Sequence, residues 1–356
     1  MRENRIAMVL NIIEDMDLDA CVLRGMENIF YLTGFRGSEG TLVVTRKDLF
    51  LLTDFRYITY AREVTRDIQV VEIKLLKQNL SELCREQGIK KIGFDSFHTT
   101  FNIYQTWKDA LLDILFVPLG NRIEEIRKCK DPEEIESILK AVRIATGAFL
   151  EVFEKPVQGK TEKEVANDLD FAMRRLGADC PSFNTIVASG PRAALPHAEP
   201  TDKPILKGEA VIIDFGAQVN GYCSDETCTI SAGKTNGKIE EIFSVVNNAR
   251  IFALANIKVG LSIKEFDGMV RGFIKDAGYG DFFRHGVGHG IGIAVHETPS
   301  INSSAEGVFE ENMVVTIEPG IYIPELGGVR LEDMVLLTAQ GPQIITKIRK
   351  DALTIR

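Results

Sequence analysis

Asp214, Asp225, His289, Glu318 and Glu332, all in the second half of this chain, are of the types that hold a pair of metal ions. They fall in three segments, VIIDFGAQVNGYCSDET, HGVGHGIG and TIEPGIYIPELGGVRLED. Two of the carboxylates end apolar, β-branched runs: Val211-Ile212-Ile213 leads into Asp214, and Val314-Val315-Thr316-Ile317 leads into Glu318. A buried carboxylate with no partner protonates rather than stay charged. Several that converge with an imidazole make sense if cations sit between them. The set is hard and oxygen-rich, which suits Mn²⁺, Co²⁺ or Zn²⁺ better than a metal selected by thiolates. Five side chains exceed the needs of one catalytic zinc with an open position and fit two ions bridged by shared carboxylates. Such a pair lowers the pKa of a bridging water and supplies hydroxide at neutral pH.

The elements that must position these groups are legible in part. Asp214 and Asp225 flank a turn containing Asn220-Gly221, a hairpin signal. A Val219-Asn220 loop sets Asp214 opposite Asp225, and an Asn220-Gly221 loop sets it opposite Thr227. Either register leaves both carboxylates on one face; the bland alternative is an exposed polar face. Of five histidines, three lie in RHGVGHGIGIAVHE, where Gly286, Gly288, Gly290 and Gly292 leave room for close approach to the backbone. Each histidine taken singly reads as a structural hydrogen-bonder. Glu318 precedes Pro319-Gly320, a strand end or bulge that re-aims side chains. For Glu332, in VRLED, the structural alternative is a surface charge paired with Arg330. Gly159-Lys160-Thr161 and Gly233-Lys234-Thr235 lack the first glycine of a P-loop, and His296-Glu297 does not continue as H-E-x-x-H.

The remaining sequence bounds the setting. At 356 residues with 45% hydrophobic content, the chain suits two domains or one large one. A net charge of −9 without basic runs argues against nucleic-acid and anionic-membrane partners. Six scattered cysteines with no C-x-x-C spacing read as reduced thiols, and no signal peptide or membrane span is legible, so a soluble cytoplasmic protein is expected. Residues up to about 120 alternate strand-like and helix-like stretches without obvious chemistry; His98 is their only histidine, and Asp54 and Asp95 are the only carboxylates that follow apolar runs. Asp131-Pro132 with Glu133 and Glu134 signals a helix start, and long helices are expected over Pro132 to Phe153 and Glu162 to Leu176.

The segments IDFGAQVNGYCSDET, HGVGHGIGIAVHE, TIEPGIY and VRLED together resemble the motif set of the pita-bread metallopeptidases, in the proline-directed branch of aminopeptidase P and prolidase. YLTGFRGSEGTLVV and LLTDFRYITYA resemble the N-terminal domain of that branch. The resemblance implies a two-domain α/β protein: a smaller creatinase-N-like α/β domain over 1–122, a linker over 123–131, and a catalytic domain over 132–356 with a curved, mainly antiparallel sheet and flanking helices. It makes Asp214 a ligand of one metal, Asp225 and Glu332 bridges, and His289 and Glu318 ligands of the second. His296 and His197 are implied to contact the scissile peptide, and His285 and Arg330 to support the site or orient substrate. Glu318 would also carry a proton to the leaving imino nitrogen. Two divalent ions, Mn²⁺ or Co²⁺ ahead of Zn²⁺, a homodimer, and peptides with proline in second position complete the expectation. Where the family has an arginine in Ser-Asp-x-Thr-Arg-Thr, this chain has Cys228. Three residues from Asp225 on a strand, it faces away from the ligands, so the change touches packing or a salt bridge.

The implied reaction is removal of the residue before a proline from tripeptides and longer chains, with a prolidase acting on dipeptides as the alternative. A methionine aminopeptidase lacks a domain like residues 1–120. A metal-free enzyme of the creatinase kind, or a binding protein on the same fold, would not keep all five ligands and the histidines.

Overall fold

The computed structural model describes residues 2–353 and divides into two compact units, Met1–Arg127 and Lys128–Arg356. In the first unit β1 (Ala20–Leu23), β2 (Thr41–Thr45), β3 (Leu49–Thr53), β4 (Gln69–Glu72), β5 (Lys91–Phe94) and β6 (Leu115–Pro118) form a mixed sheet in the order β4-β3-β2-β1-β5-β6. The strands are rich in Val, Leu and Phe, and β1 and β2 are buried along their whole length, as suits a sheet covered on both faces. Helices α1 (Arg2–Asp15), α2 (Met26–Thr33), α3 (Ile58–Val64), α4 (Leu76–Gln87) and α5 (Phe101–Ala110) connect the strands. The charged stretch expected as a linker is instead helix α6 (Arg122–Arg127), and the division falls after it. Two of its charges are tied into the fold: Arg127 is buried and donates to Asn28 Oδ1 at 2.8 Å, while Asn28 Nδ2 donates to Glu124 at 2.9 Å.

The first long helix of the second unit starts at Asp131, where the sequence places a cap. The Asp131 side chain accepts from the Glu133 and Glu134 backbone N–H groups, Glu134 returns a bond to the Asp131 N–H, and Pro132 opens α7 (Pro132–Val152). The same reciprocal cap, made by Thr161 and Glu164, starts α8 (Glu162–Arg175). These two helices pack on a core with β7 (Cys180–Pro181), β8 (Ile186–Ser189), β9 (Ala210–Phe215), β10 (Ala217–Val219), β11 (Tyr222–Cys223) and β12 (Glu226–Ser231). A second core joins α9 (Gly237–Asn256) and α10 (Ile263–Asp276) to β13 (Gly288–Gly290), β14 (Glu297–Ile301), β15 (Val314–Ile317), β16 (Gly320–Ile323), β17 (Gly327–Arg330) and β18 (Asp333–Thr338). Strand β19 (Gly341–Ile344) pairs with β18 at the edge of the sheet β14-β13-β15-β18-β19. Every ladder of this unit among the described residues is antiparallel. The six cysteines are free thiols, and among the described residues no helix is long and apolar enough to cross a membrane.

Candidate metal centre and active site

The hairpin that carries the first two carboxylates settles on the Asn220-Gly221 loop. Val219 pairs with Tyr222 and Asp214 with Thr227. Asn220 and Gly221 have φ of 52° and 81°, the left-handed pair that a two-residue turn of this kind requires. The strands are not continuous as expected from the sequence. The ladder breaks at Gly216 and again at Ser224-Asp225. A Cβ on Gly216 would lie 1.9 Å from the Ser224 carbonyl oxygen, so only glycine lets the two breaks face each other. Asp225 sits in the second break, and its backbone N–H points at the Met334 sulfur at 3.3 Å.

Strand β13 delivers His289. It is made almost entirely of glycine around that residue because it lies flush on its neighbours: a Cβ at Gly288 would meet the Thr316 carbonyl oxygen at 1.9 Å. His289 Nδ1 donates to the Gly290 carbonyl at 3.0 Å, which leaves the Nε2 lone pair facing inward. Nε2 stands 3.7 Å from both Asp225 Oδ2 and Glu318 Oε1. Glu318, just past β15, is anchored by its own N–H to the Val287 carbonyl at 2.8 Å. Glu332 lies between β17 and β18, is buried, and accepts from Thr227 Oγ1 at 2.7 Å. Asp225, His289 and Glu332 bring ligand atoms within 4.8 Å of one another.

All five expected ligands, together with His197, His285, His296 and Arg330, line one cavity of about 500 Å³. Arg330 pairs with Asp214, at 2.6 Å, and not with Glu332. Further donors go to Pro196 O at 3.0 Å, Tyr322 Oη at 2.9 Å and Thr227 Oγ1 at 3.2 Å. These bonds make Arg330 a scaffold for the site. Tyr322 in turn contacts His285 Nε2 at 3.0 Å, and His285 Nδ1 donates to the Gly286 carbonyl at 2.8 Å. The His296 ring lies 4.3 Å from that of His289, centroid to centroid. His197 is exposed at the cavity wall. Sequence reasoning gave no role to Tyr322 or to Thr227, whose hydroxyl joins Arg330 to Glu332. Tyr322 sits within the quoted TIEPGIY segment, and its even spacing from Glu318 was the available signal.

The electrostatics is that of a site short of positive charge. Four carboxylates face one guanidinium, and Oδ1 of Asp214 is buried without a hydrogen-bond partner. Burial, and then the neighbouring carboxylates, push Asp225 and Glu332 well above the usual carboxylate range. Burial pushes Glu318 up to about 8 against the pull of Arg330. The same desolvation takes His285 and His289 down to about 4 and lowers His296. A cation among these groups would return the carboxyls to the ionised form and bind imidazole in the neutral form that desolvation already favours, so the residues present fit divalent metal. Cys228 faces the opposite side of β12, buried in the core opposite Ile213, and its thiol pKa is raised by burial. The cation on that side is Lys350, which pairs with Glu226.

Residues 136–339 match metallopeptidase family M24, and residues 5–129 match the creatinase/prolidase N-terminal domain. The chain belongs to metallopeptidase family M24. It is 36% identical over 353 residues to an Xaa-Pro dipeptidase of Pyrococcus furiosus, covering 99% of this chain and 100% of that one. An Xaa-Pro dipeptidase from Bacillus anthracis superimposes with a TM-score of 0.95 at 36% identity, covering 100% of each chain. An X-Pro aminopeptidase from Thermotoga maritima does so with a TM-score of 0.92 at 35% identity, covering 98% of this chain and 99% of that one. The two-domain α/β architecture is therefore that of these enzymes, and the protein is a hydrolase of this family. Identities of 36% and 35% do not separate the two named activities.

Proposed function

We propose that this protein is an Xaa-Pro aminopeptidase, hydrolysing the peptide bond between an N-terminal residue and proline with two divalent ions. The observation that carries the metal reading is the cluster of Asp225, His289 and Glu332, three buried residues whose ligand atoms lie within 4.8 Å of one another. Asp214 and Glu318 complete the set on either side, with Mn²⁺ or Co²⁺ favoured and Zn²⁺ also compatible. When bound, the ions would polarise the scissile carbonyl and acidify the attacking water. The chain's own groups do the rest. His296 and His197 at the cavity wall donate to the oxygen on which charge develops. Glu318, a half-buried carboxylate at the cavity, takes a proton from the attacking water and passes it to the leaving imino nitrogen. Arg330, Tyr322 and His285 form a hydrogen-bonded chain that holds Asp214 in place.

Substrate length follows from what the cavity lacks. Among the described residues its wall carries no lysine and no arginine besides Arg330, four of whose N–H groups are used within the protein. The two arginines that the sequence offers as clamps for a free carboxylate, Arg192 and Arg284, do not line that wall: Arg192 is held by Glu162 at 3.0 Å and the Glu199 carbonyl at 2.6 Å, and Arg284 donates to the Asp281 carbonyl at 2.8 Å. A dipeptide would bring its free carboxylate into a site with no charged donor to meet it. Prolidase is the second reading, favoured by the relatives named Xaa-Pro dipeptidase. Comparing kcat/KM for Ala-Pro, Ala-Pro-Ala and a longer Ala-Pro peptide separates them. The longer substrates are expected to win by about tenfold or more, since a charged hydrogen bond is worth roughly 1.5–3 kcal/mol. Turnover of the dipeptide alone would make the enzyme a prolidase.

A further inference from the structure

Beyond β19, residues 345–353 run back across the strands that carry the ligands. The Ile345 N–H donates to the Met334 carbonyl at 2.9 Å, and the Ser231 N–H to the Leu353 carbonyl at 2.7 Å. The segment therefore ties β18 to β12. Between those ends sits Lys350, with a fully buried ammonium group. It pairs with Glu226 and, at 2.9 Å, with Asp333 Oδ1. Thr346 Oγ1 adds a bond to the same Asp333 oxygen at 2.7 Å, and Arg250 holds the other oxygen. Glu226 and Asp333 are the sequence neighbours of Asp225 and Glu332, the two residues implied to bridge the metals. Asp225 and Glu332 line the cavity, whereas Glu226 and Asp333 do not and meet Lys350 instead. A cation that fixes Glu226 and Asp333 from behind thus sets how far apart Asp225 and Glu332 stand in front.

We propose that Lys350 is a positioning residue of the metal centre: by holding Glu226 and Asp333 together it sets the separation of Asp225 and Glu332. The proposal rests on the metallopeptidase reading above. It makes the segment after β19 part of the site, though none of its residues reaches the cavity. A lysine whose role was packing alone would change folding stability and leave the ligand geometry to the sheet.

The test is titration of the metal-free full-length protein with MnCl₂ by calorimetry, alongside its thermal midpoint. Lys350→Met is expected to lower Mn²⁺ affinity at least tenfold, the upper part of the range being about a hundredfold for groups that orient metal ligands. Lys350→Arg, which keeps the charge, is expected to bind within about threefold of the parent, on the same scale. A folded Lys350→Met protein with parental Mn²⁺ affinity, whatever its midpoint, overturns the proposal. If Lys350→Met does not fold, Thr346→Val decides, because it removes a neutral tether and strands no charge. A loss of affinity is expected there, and parental affinity overturns the proposal. A parent protein that binds no Mn²⁺ would instead remove the metal reading itself, and this proposal with it.

Discussion

Two clusters of buried carboxylates lie back to back in the second unit. On one side Asp225 and Glu332 face Asp214 and Glu318, with one guanidinium among them and one Asp214 oxygen unpartnered. On the other, Glu226 and Asp333 face Lys350 and Arg250. Burial opposes ionisation on both sides: behind, Lys350 and Arg250 hold Asp333 below the ordinary range and Lys350 pulls on a Glu226 that burial still keeps raised, while in front neighbouring carboxylates add to the burial of Asp225 and Glu332. Asp225 and Glu332 are as buried as Glu226 and Asp333. The source of positive charge differs: the chain supplies it behind the ligands, and in front it has to come from solution. The first unit resembles the rear cluster. Asp95, stranded after an apolar strand, is used up by the Arg24 and Gly25 N–H groups at 2.7 Å each, and Asp54 by Arg56 at 2.6 Å. A buried carboxylate marks a site only when its partners are missing.

Four measurements break or sharpen that contrast. The largest effect is expected in front. Asp225→Asn or Glu332→Gln should cost at least one ion and roughly 10⁴-fold in kcat/KM, the scale of removing one member of a catalytic unit. The same variants should raise the thermal midpoint of the metal-free protein, since each removes a repelled charge. Full activity after exhaustive chelation, or in either variant, would end the two-metal reading.

Behind the ligands the sign reverses. Lys350→Met should destabilise the metal-free protein by roughly 3–5 kcal/mol in a denaturant titration, because it leaves Glu226 without a counter-charge. An unchanged midpoint would mean that the rear cluster is neutral already.

His296→Ala tests chemistry apart from metal holding. It should lower kcat by roughly a hundredfold with metal content unchanged, while His98→Ala, in the first unit, should leave both near the parent. Loss of metal in His296→Ala would make that histidine a ligand.

The smallest effect is a pH slope. The folded metal-free protein holds Glu318 at about 8 against an ordinary 4.5, so it binds more protons than the unfolded chain and loses stability as pH rises through that window. His285 and His289, at about 4 against 6.5, oppose this only below pH 6.5. Between pH 6.5 and 8 Glu318 should cost about 2 kcal/mol at roughly 1.36 kcal/mol per unit, and the raised Asp225, Glu332 and His98 act with the same sign. Added Mn²⁺ should flatten the slope; a metal-free protein with no slope there would place Glu318 in an ordinary environment.

What the sequence made legible was local. Asp131-Pro132 announced α7, and Asn220-Gly221 announced the hairpin, because caps and two-residue turns are decided within a few residues. The choice between the two hairpin registers was not legible, since either loop keeps the carboxylates on one face. Helix α2 was overlooked although Gly34 ends it in the left-handed conformation, φ 80°, because its apolar run reads equally as a strand. The charges of IEEIR suggested a linker, and only the distant Asn28 shows why they fold into a helix. The ligands announced themselves as carboxylates after apolar runs. Lys350 had no such signal, lying 124 residues from Glu226.

The glycines around His289 carry a consequence for mutagenesis. A saturation library across GVGHGIG would return a block of inactive variants, and the usual inference would be that each position touches substrate. At Gly288 and Gly290 the cause would be steric: an added methyl group would sit 1.9 Å from the Thr316 oxygen and 2.3 Å from the Thr298 oxygen. Intolerance at those two positions would therefore appear as lost soluble protein, and intolerance at His289 as protein recovered in normal yield and inert. Expression level, read beside activity, sorts the strand into its scaffold and its working residue.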